Sequence, residues 1–363
     1  MVDFYNLTFR ELKTQPDIHF TDPHNIASSL CKSMKEAVLN NPSGYSDDEV
    51  CQILALDNGI VVGCTNPYSG RAYIKKEIVP IQNGSYLFSH EDYRKENVGG
   101  DLFLKIANLH PNRNCYFSGI SQMAIGLYRV LKFTLFEFPR LIYLRHSRSV
   151  IHSIFKTESV VLTPVIWCAD LALLVHRKIL KLFSKEGRNG YEVVESKNVP
   201  QEVEDIILND PHPYAEYHGK DWLDWNLKYS LTDEPRIKRL FLIKKQGKIE
   251  GFFVTKQQFF EQASSRGFKN VYLGSIMEWG IAKGSKLTEK DINLIAIHHF
   301  DNNVDGIQVA TTDIALARNL KKYLFVPIGT ANVGIRMKSI KDPAIKEMKN
   351  WRLRIAGGDT LMN

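Results

Sequence analysis

A chain of 363 residues, 44% apolar and 24% charged, is too long for one average domain and too ordinary in composition for a fibrous or disordered protein. Its net charge of +7 suits a polyanionic ligand without requiring one. Five cysteines without CxxC spacing, behind an N-terminus that lacks the basic-then-apolar signal pattern, point to reduced thiols in a cytoplasmic protein and against a disulfide frame or zinc site.

Residues 4–10 read as a first strand and residues 24–39 as a helix, capped near Thr21-Asp22 and ended by Asn40-Asn41-Pro42. Apolar runs at 50–55 and 60–64 flank Asp57-Asn58-Gly59, a strong hairpin signal. Residues 65–73 read as a polar excursion. A strand at 77–80 then leads through Asn83-Gly84 to a second short apolar run, Tyr86-Leu87-Phe88. A polar, basic turn follows over 90–97, then Gly99-Gly100 and the amphipathic run Leu102-Phe103-Leu104-Lys105-Ile106-Ala107. That is strand, turn and helix, with two glycines where the helix begins. Such a turn aims backbone N–H groups and the positive end of a helix dipole at one point, which makes an anion site. Arg94 and Lys95 add mobile positive charge beside it. The guest this suits is a phosphate, most of all a pyrophosphate.

Cys115-Tyr116-Phe117-Ser118-Gly119 reads as a buried strand, and Met123, Leu127, Tyr128 and Leu131 fall at helical spacing before Lys132-Phe133. Residues 134–138 and 141–144 read as closing strands. The segment Arg94-Lys95-Glu96-Asn97-Val98-Gly99, with Tyr93 before it, resembles the acyl-CoA signature of the GNAT acetyltransferase superfamily, Arg/Gln-x-x-Gly-x-Gly/Ala. Asn97 stands where the family has glycine, and Asn is the next most tolerant residue for positive φ. Leu127-Tyr128-Arg129-Val130-Leu131-Lys132-Phe133 likewise resembles the family's Leu-Tyr-x-x-x-Gly-Phe, with Lys132 in place of glycine. The resemblance implies acetyl-CoA as co-substrate and no metal. It implies contacts to the cofactor from Leu87, Phe88, Ser89, Arg94, Lys95, Glu96, Asn97, Val98, Gly99 and Gly100, with the thioester beside 87–89. It also implies Tyr128 as the acid that protonates the departing thiolate. From the residues alone, Tyr128 is equally a buried aromatic on the inner face of its helix. His90 and Glu91 border the cleft as candidate bases, or are solvated turn residues.

Residues 160–183 form an apolar run broken by Pro164, Asp170 and His176-Arg177-Lys178, which excludes a membrane span. It reads as a connecting helix packed between two lobes, with a helix lying on a membrane surface as the alternative. After Gly187-Arg188-Asn189-Gly190 a similar order of elements begins again. Strands fall at 191–195 and 275–280, helices at 202–208 and 289–300, and a hairpin around Gln246-Gly247-Lys248. A strand at 306–310, a helix at 313–323 and a strand at 324–327 complete it. The repeat has no Arg-x-x-Gly-x-Gly. Its turn is Ala282-Lys283-Gly284-Ser285-Lys286, and it is expected not to hold CoA.

Asp221-Trp222-Leu223-Asp224-Trp225 and the tail Trp351-Arg352-Leu353 to Gly357-Gly358-Asp359 resemble segments of tandem GNAT proteins from bacterial polysaccharide loci. Core packing on an amphipathic helix is the simpler reading of Trp222 and Trp225. The expectation is an α/β (α+β) chain of two GNAT-like lobes, each a mixed, mostly antiparallel sheet flanked by helices. The boundaries are 1–158 for the CoA-binding lobe, 159–190 for the linker helix and 191–363 for the second lobe. The expected activity is transfer of an acetyl or other short acyl group to an amine of a small molecule or sugar. A Fem-like transferase drawing on charged tRNA, or a degenerate non-catalytic binding module, are the alternatives. His298-His299 are adjacent and face different sides of a helix, so they do not chelate, and no Walker, Gly-x-Ser-x-Gly or Gly-x-Gly-x-x-Gly motif occurs.

Overall fold

A computed structural model describes residues 2–14, 20–24, 26, 32–109, 114–155, 160–263 and 268–358. Parts of the helix expected over 24–39, with Cys31, residue 159 and Asp359, lie outside these. The chain opens with β1 (Val2–Thr8), α1 (Phe9–Thr14) and α2 (Lys32–Leu39), followed by β2 (Val50–Asp57), β3 (Ile60–Ile74) and β4 (Glu77–Ser89). Then come α3 (Val98–Asn108), β5 (Asn114–Ser118), α4 (Ile125–Val130), β6 (Thr134–Leu144), α5 (Arg148–Phe155) and α6 (Thr163–Phe183). The second half holds β7 (Tyr191–Ser196), α7 (Gln201–Leu208), β8 (Tyr214–Glu216), α8 (Lys220–Lys228), β9 (Arg236–Lys245), β10 (Lys248–Ala263) and β11 (Phe268–Ile281). It closes with α9 (Glu289–Ala296), β12 (Gly306–Ala310), α10 (Ile314–Lys321), β13 (Phe325–Arg336) and β14 (Trp351–Arg352).

Local chemistry sets several of these boundaries. Asn58 (φ 50°) and Gly59 (φ 81°) both adopt the left-handed conformation that a two-residue hairpin between right-twisted strands demands. Gln246 (φ 51°) and Gly247 (φ 79°) repeat it between β9 and β10. Lys75 (φ 48°) and Lys76 (φ 77°) make the same turn between β3 and β4 without either signature residue. That turn corrects the reading of 65–73 as a polar excursion, because those residues are the middle of β3, paired to β4 from Asn66↔Ser85 to Ile74↔Glu77. The Thr65 hydroxyl donates to the Ser85 carbonyl at 3.3 Å, and the Ser69 main-chain carbonyl accepts the Asn41 side-chain amide at 2.8 Å.

Among the described residues, the strands form one 14-stranded sheet in the order β1-β2-β3-β4-β5-β13-β6-β12-β11-β10-β9-β7, with β8 and β14 joined to β3 at its side. Neighbours along this path are antiparallel except β4–β5 and β11–β12, which occupy equivalent places in the two halves. The architecture is thus a mixed, mostly antiparallel sheet flanked by helices. The expected closing strands at 134–138 and 141–144 are a single strand, β6, and it does not close its own half. β6 pairs with β12 and β13, while β13 inserts between β6 and β5. The two halves therefore exchange strands across the middle of the sheet.

A second connection lies on the helical layer. Leu7, Phe9, Met34 and Val38 pack in one cluster with Val203, Trp222, Trp225, Leu240 and Phe252. Trp225 donates its indole N–H to the Ala37 carbonyl at 2.8 Å, so core packing accounts for both tryptophans. α6 runs along the outside, burying Ile166 and Leu180 and exposing most of its remaining apolar side chains. No helix of the described residues is long and apolar enough to cross a membrane.

Candidate active site

The site begins where two parallel strands part. β4 and β5 pair at Ile81↔Asn114 and Gln82↔Cys115. Beyond that point β5 turns to β13 (Phe117↔Gly334, Ser118↔Val333), and β4 continues with β3. The gap opens into a cavity of about 250 Å³, bounded by Ser85, Tyr86 and Leu87 on one side and Ser118 and Gly119 on the other. Phe103, Ile106, Phe117 and Tyr128 form its apolar floor.

β4 is bulged at this wall. Cys64 pairs with Phe88 and Asn66 with Ser85, which leaves Tyr86 and Leu87 together opposite Thr65. Tyr86 has φ 56°, a conformation costly for an aromatic residue. A bulge of this kind takes main-chain groups out of the ladder and turns them aside, here at the wall of the cavity.

α3 supplies the second element. Asn97, with φ 60° and ψ 21°, is its N-cap in the left-handed conformation, and its side chain makes no capping hydrogen bond. The first helical bond runs from the Asp101 N–H to the Asn97 carbonyl at 3.0 Å. The N–H groups of Val98, Gly99 and Gly100 thus point out of the helix end without an intrahelical acceptor, the arrangement that holds an anion. A Cβ at Gly99 would lie 3.2 Å from the Ser89 hydroxyl, so glycine lets the turn pass close to β4. Arg94, Lys95 and Glu96 are exposed on this turn.

The equivalent helix of the second half is closed. Thr288 caps α9 with a reciprocal box: its hydroxyl accepts from the Asp291 N–H, and the Asp291 carboxylate accepts from the Thr288 N–H at 2.9 Å and hydroxyl at 2.7 Å. Lys185 then pairs with Asp291 at 2.9 Å. The helix end that would greet a phosphate already holds a carboxylate.

Tyr128 lines the cavity floor and is also buried, 6% exposed, with its ring 4.3 Å from that of Phe103 and 5.1 Å from that of Phe133. Both sequence readings of this residue therefore describe its surroundings. Burial, with a smaller contribution from Cys115, pushes its phenol above the ordinary tyrosine value, so it is protonated at neutral pH. Lys132 ends this helix with φ 60°. At both positions where glycine is replaced, the left-handed backbone is kept.

Of the other expected site residues, Leu87 borders the cavity, Phe88 and Ser89 follow it on β4, and Phe88 is exposed. His90 and Glu91 do not line the cavity. The His90 ring accepts the Asp92 N–H at 3.4 Å and lies tilted against the His24 ring, centroids 3.9 Å apart, and Glu91 is exposed. Among the described residues, those lining the cavity carry the hydroxyls of Thr65, Ser85, Tyr86, Ser118, Ser121 and Tyr128 and no carboxylate, imidazole or amine. Ser85 and Ser118 had no signal in sequence, since a serine in a strand is unremarkable until the strands separate.

A buried polar cluster behind the cavity was also missed. His218 approaches Glu278 at 2.5 Å and Glu216 at 3.2 Å, and Glu216 accepts the Asn83 amide at 2.8 Å and the Gly358 N–H at 2.6 Å. Arg354 bonds Glu278 and, at 3.0 Å, Glu289. Burial alone would lower the His218 pKa, but hydrogen bonds to Glu216 and Glu278 outweigh it and raise it. Burial would raise the Glu278 pKa, but Arg354, Arg352 and His218 hold it well below the usual carboxylate range. Asn83 and Gly84 are consecutive, so this cluster fixes β4 where it borders the cavity. Among the described residues no group of three or more His, Cys, Asp or Glu is placed to hold a metal.

No protein-family model and no curated protein matches the sequence. Solved structures do match. N-myristoyltransferase from Saccharomyces cerevisiae with bound myristoyl-CoA superposes with TM-score 0.59 at 12% identity, covering 92% of this chain and 80% of that one. A GCN5-related N-acetyltransferase from Anabaena variabilis gives 0.52 at 10% identity, over 93% of this chain and 73% of that one. A protein from Enterococcus faecalis described as a probable N-acyltransferase gives 0.51 at 10% identity, over 93% and 72%. The fold is that of the GNAT N-acyltransferases. The likeness covers 92–93% of this chain and so spans both halves.

Proposed function

We propose that this chain is an N-acyltransferase that moves a short acyl group, acetyl in the simplest case, from CoA to an amine. The observation that carries the reading is the parting of β4 and β5 beside a bulge, with the uncapped N-terminus of α3 close by. A diphosphate on the α3 turn, met by Arg94 and Lys95, leaves the pantetheine arm to run between the strands toward Leu87. The neighbour solved with myristoyl-CoA bound supports acyl-CoA as the donor. The cavity, at about 250 Å³ and floored by Phe103, Phe117 and Tyr128, is below the usual range for ligand pockets, which supports a short chain.

In this reading the acceptor amine attacks the thioester carbonyl, whose developing negative charge meets backbone N–H at the Tyr86–Leu87 bulge. The carbon–sulfur bond breaks, the Tyr128 hydroxyl gives its proton to the departing thiolate, and the tyrosinate regains one from solvent, which balances the proton the amine gives up. Among the described residues the cavity wall offers no base, so the amine gives up its proton at the end of β4, to Glu91 or to the His90 nitrogen that does not hold the Asp92 N–H. The acceptor class we propose is an amino sugar or a polysaccharide precursor handled in the cytoplasm, reached from between the two halves.

The test is release of free CoA from acetyl-CoA in the presence of candidate amines, followed by thiol titration. Tyr128→Phe is expected to lower turnover about a hundredfold and leave CoA affinity unchanged. Unchanged turnover would remove Tyr128 from the mechanism.

A further inference from the structure

α6 is amphipathic in an unusual sense: both of its faces are apolar. One face buries Ile166 and Leu180 against the body of the protein. The opposite face carries Trp167, Leu171, Val175, Ile179, Leu182 and Phe183 at near four-residue spacing, with Trp167 66%, Leu182 62% and Phe183 70% exposed. From Trp167 to Phe183 this makes an apolar ridge about 24 Å long on a 21-residue helix. Isolated exposed apolar side chains need no explanation, but a continuous ridge marks a docking surface.

The charges beside the ridge select the occupant. Lys178 and Lys181 are exposed along one flank of it, and Arg177 is half-buried. Asp170 is the acidic residue of the helix, and it is turned inward to accept the Ser147 N–H at 2.6 Å. Within the helix the outward face therefore presents apolar side chains and cations with no acid among them; Glu186, three residues past its end, feels the Lys181 charge but is paired with His299 at 3.0 Å. In an antiparallel pairing with a second copy, Lys178 and Lys181 would face the partner's N-terminal half, where Thr163, Pro164, Val165 and Trp167 offer no counter-charge. Lipid phosphates offer that counter-charge all along the helix, at the depth to which lysine stems reach from an apolar face. α6 is too short of apolar residues to cross, so it would lie in the plane of the surface.

We propose that α6 is a peripheral membrane anchor that lays its Trp167–Phe183 ridge into an anionic bilayer surface with Lys178 and Lys181 at the headgroups. This goes beyond the acyltransferase reading and stands independently of it.

The tryptophans allow a direct test. Of the five in the sequence, Trp222, Trp225, Trp279 and Trp351 are buried, and Trp167 alone is exposed. Adding vesicles of equal phosphatidylcholine and phosphatidylglycerol to the full chain is expected to shift its emission to the blue and to pellet it on centrifugation. Pure phosphatidylcholine is expected to do so far more weakly. Trp167→Phe should remove the shift while pelleting persists. Lys178→Glu with Lys181→Glu, both on the outer surface and so expected to leave the fold unchanged by circular dichroism, should weaken binding to anionic vesicles by about tenfold or more. Unchanged emission and no pelleting with anionic vesicles would overturn the proposal. So would a blue shift that appears without lipid as concentration rises, together with a dimer in ultracentrifugation, which would assign the ridge to a second copy of the chain.

Discussion

His218 and Glu278 illustrate how a few residues tie the geometry of the candidate cleft to stability. Each is buried between opposite charges, and each has its pKa moved in the direction that favours its charged form. The signs differ and so do the consequences. Glu278 is held well below its ordinary value of 4.5, so its contribution is fully present above that pH and is lost as pH falls from there through the lower folded value. His218 is raised above 6.5, so its contribution is present below that value and is lost as pH rises through the higher folded one. The cluster therefore stabilises the fold most between these two limits. Glu278→Gln leaves part of a buried charge network uncompensated and is expected to cost about 3 kcal/mol. Melting temperature measured from about pH 2 to about pH 9, a span that reaches well below the ordinary carboxylate value and well above the ordinary histidine value, should show both limbs flattened in the variant. A variant whose melting temperature follows the wild-type profile would mean that the cluster contributes nothing through charge.

At the scale of elements, the contrast between α3 and α9 explains why two equivalent places in one sheet differ in use. α3 starts at a left-handed Asn97 that caps nothing, while α9 starts at Thr288 with its N–H groups already claimed. Thr288→Ala is expected to destabilise the protein by about 1 kcal/mol, the usual cost of a lost cap, and to create no second cofactor site, because Asp291 stays on the turn. A second CoA equivalent bound by this variant would show that the cap alone keeps the site shut. Much at this scale was legible in the sequence: Asn58-Gly59 and Gln246-Gly247 announce their hairpins, and Gly99-Gly100 marks the start of α3. The middle of β3 was not legible, because a strand flanked by β2, β8 and β4 can bury Asn66 and Thr65 and loses the alternation that usually marks a strand. The Lys75-Lys76 turn hid the hairpin beside it. The bulge at Tyr86 depends on what Thr65 pairs with, and no local pattern encodes that.

The whole molecule rests on pairings between distant segments, and these were the least legible. Two halves with the same order of elements suggest separable lobes, yet the exchange of β6 and β13 is set by long-range contacts that leave no periodic trace. A fragment ending before Gly187 would lack β13, which fills the sheet between β5 and β6, and would expose the apolar residues that α7 and α8 cover. Such a fragment is expected to be unfolded by circular dichroism alone and to recover structure when mixed with residues 187–363. A folded, soluble fragment would show that the exchanged strand is dispensable.

The same asymmetry fixes a stoichiometry. With one open helix N-terminus and one closed by Thr288 and Asp291, the full chain is expected to bind a single equivalent of acetyl-CoA in titration calorimetry. Gly99→Glu, which puts a carboxylate where the diphosphate would sit, should abolish the heat. Two equivalent sites, or no binding by the wild-type chain even at millimolar ligand, would contradict the account of the α3 turn as the place where this protein holds its acyl donor.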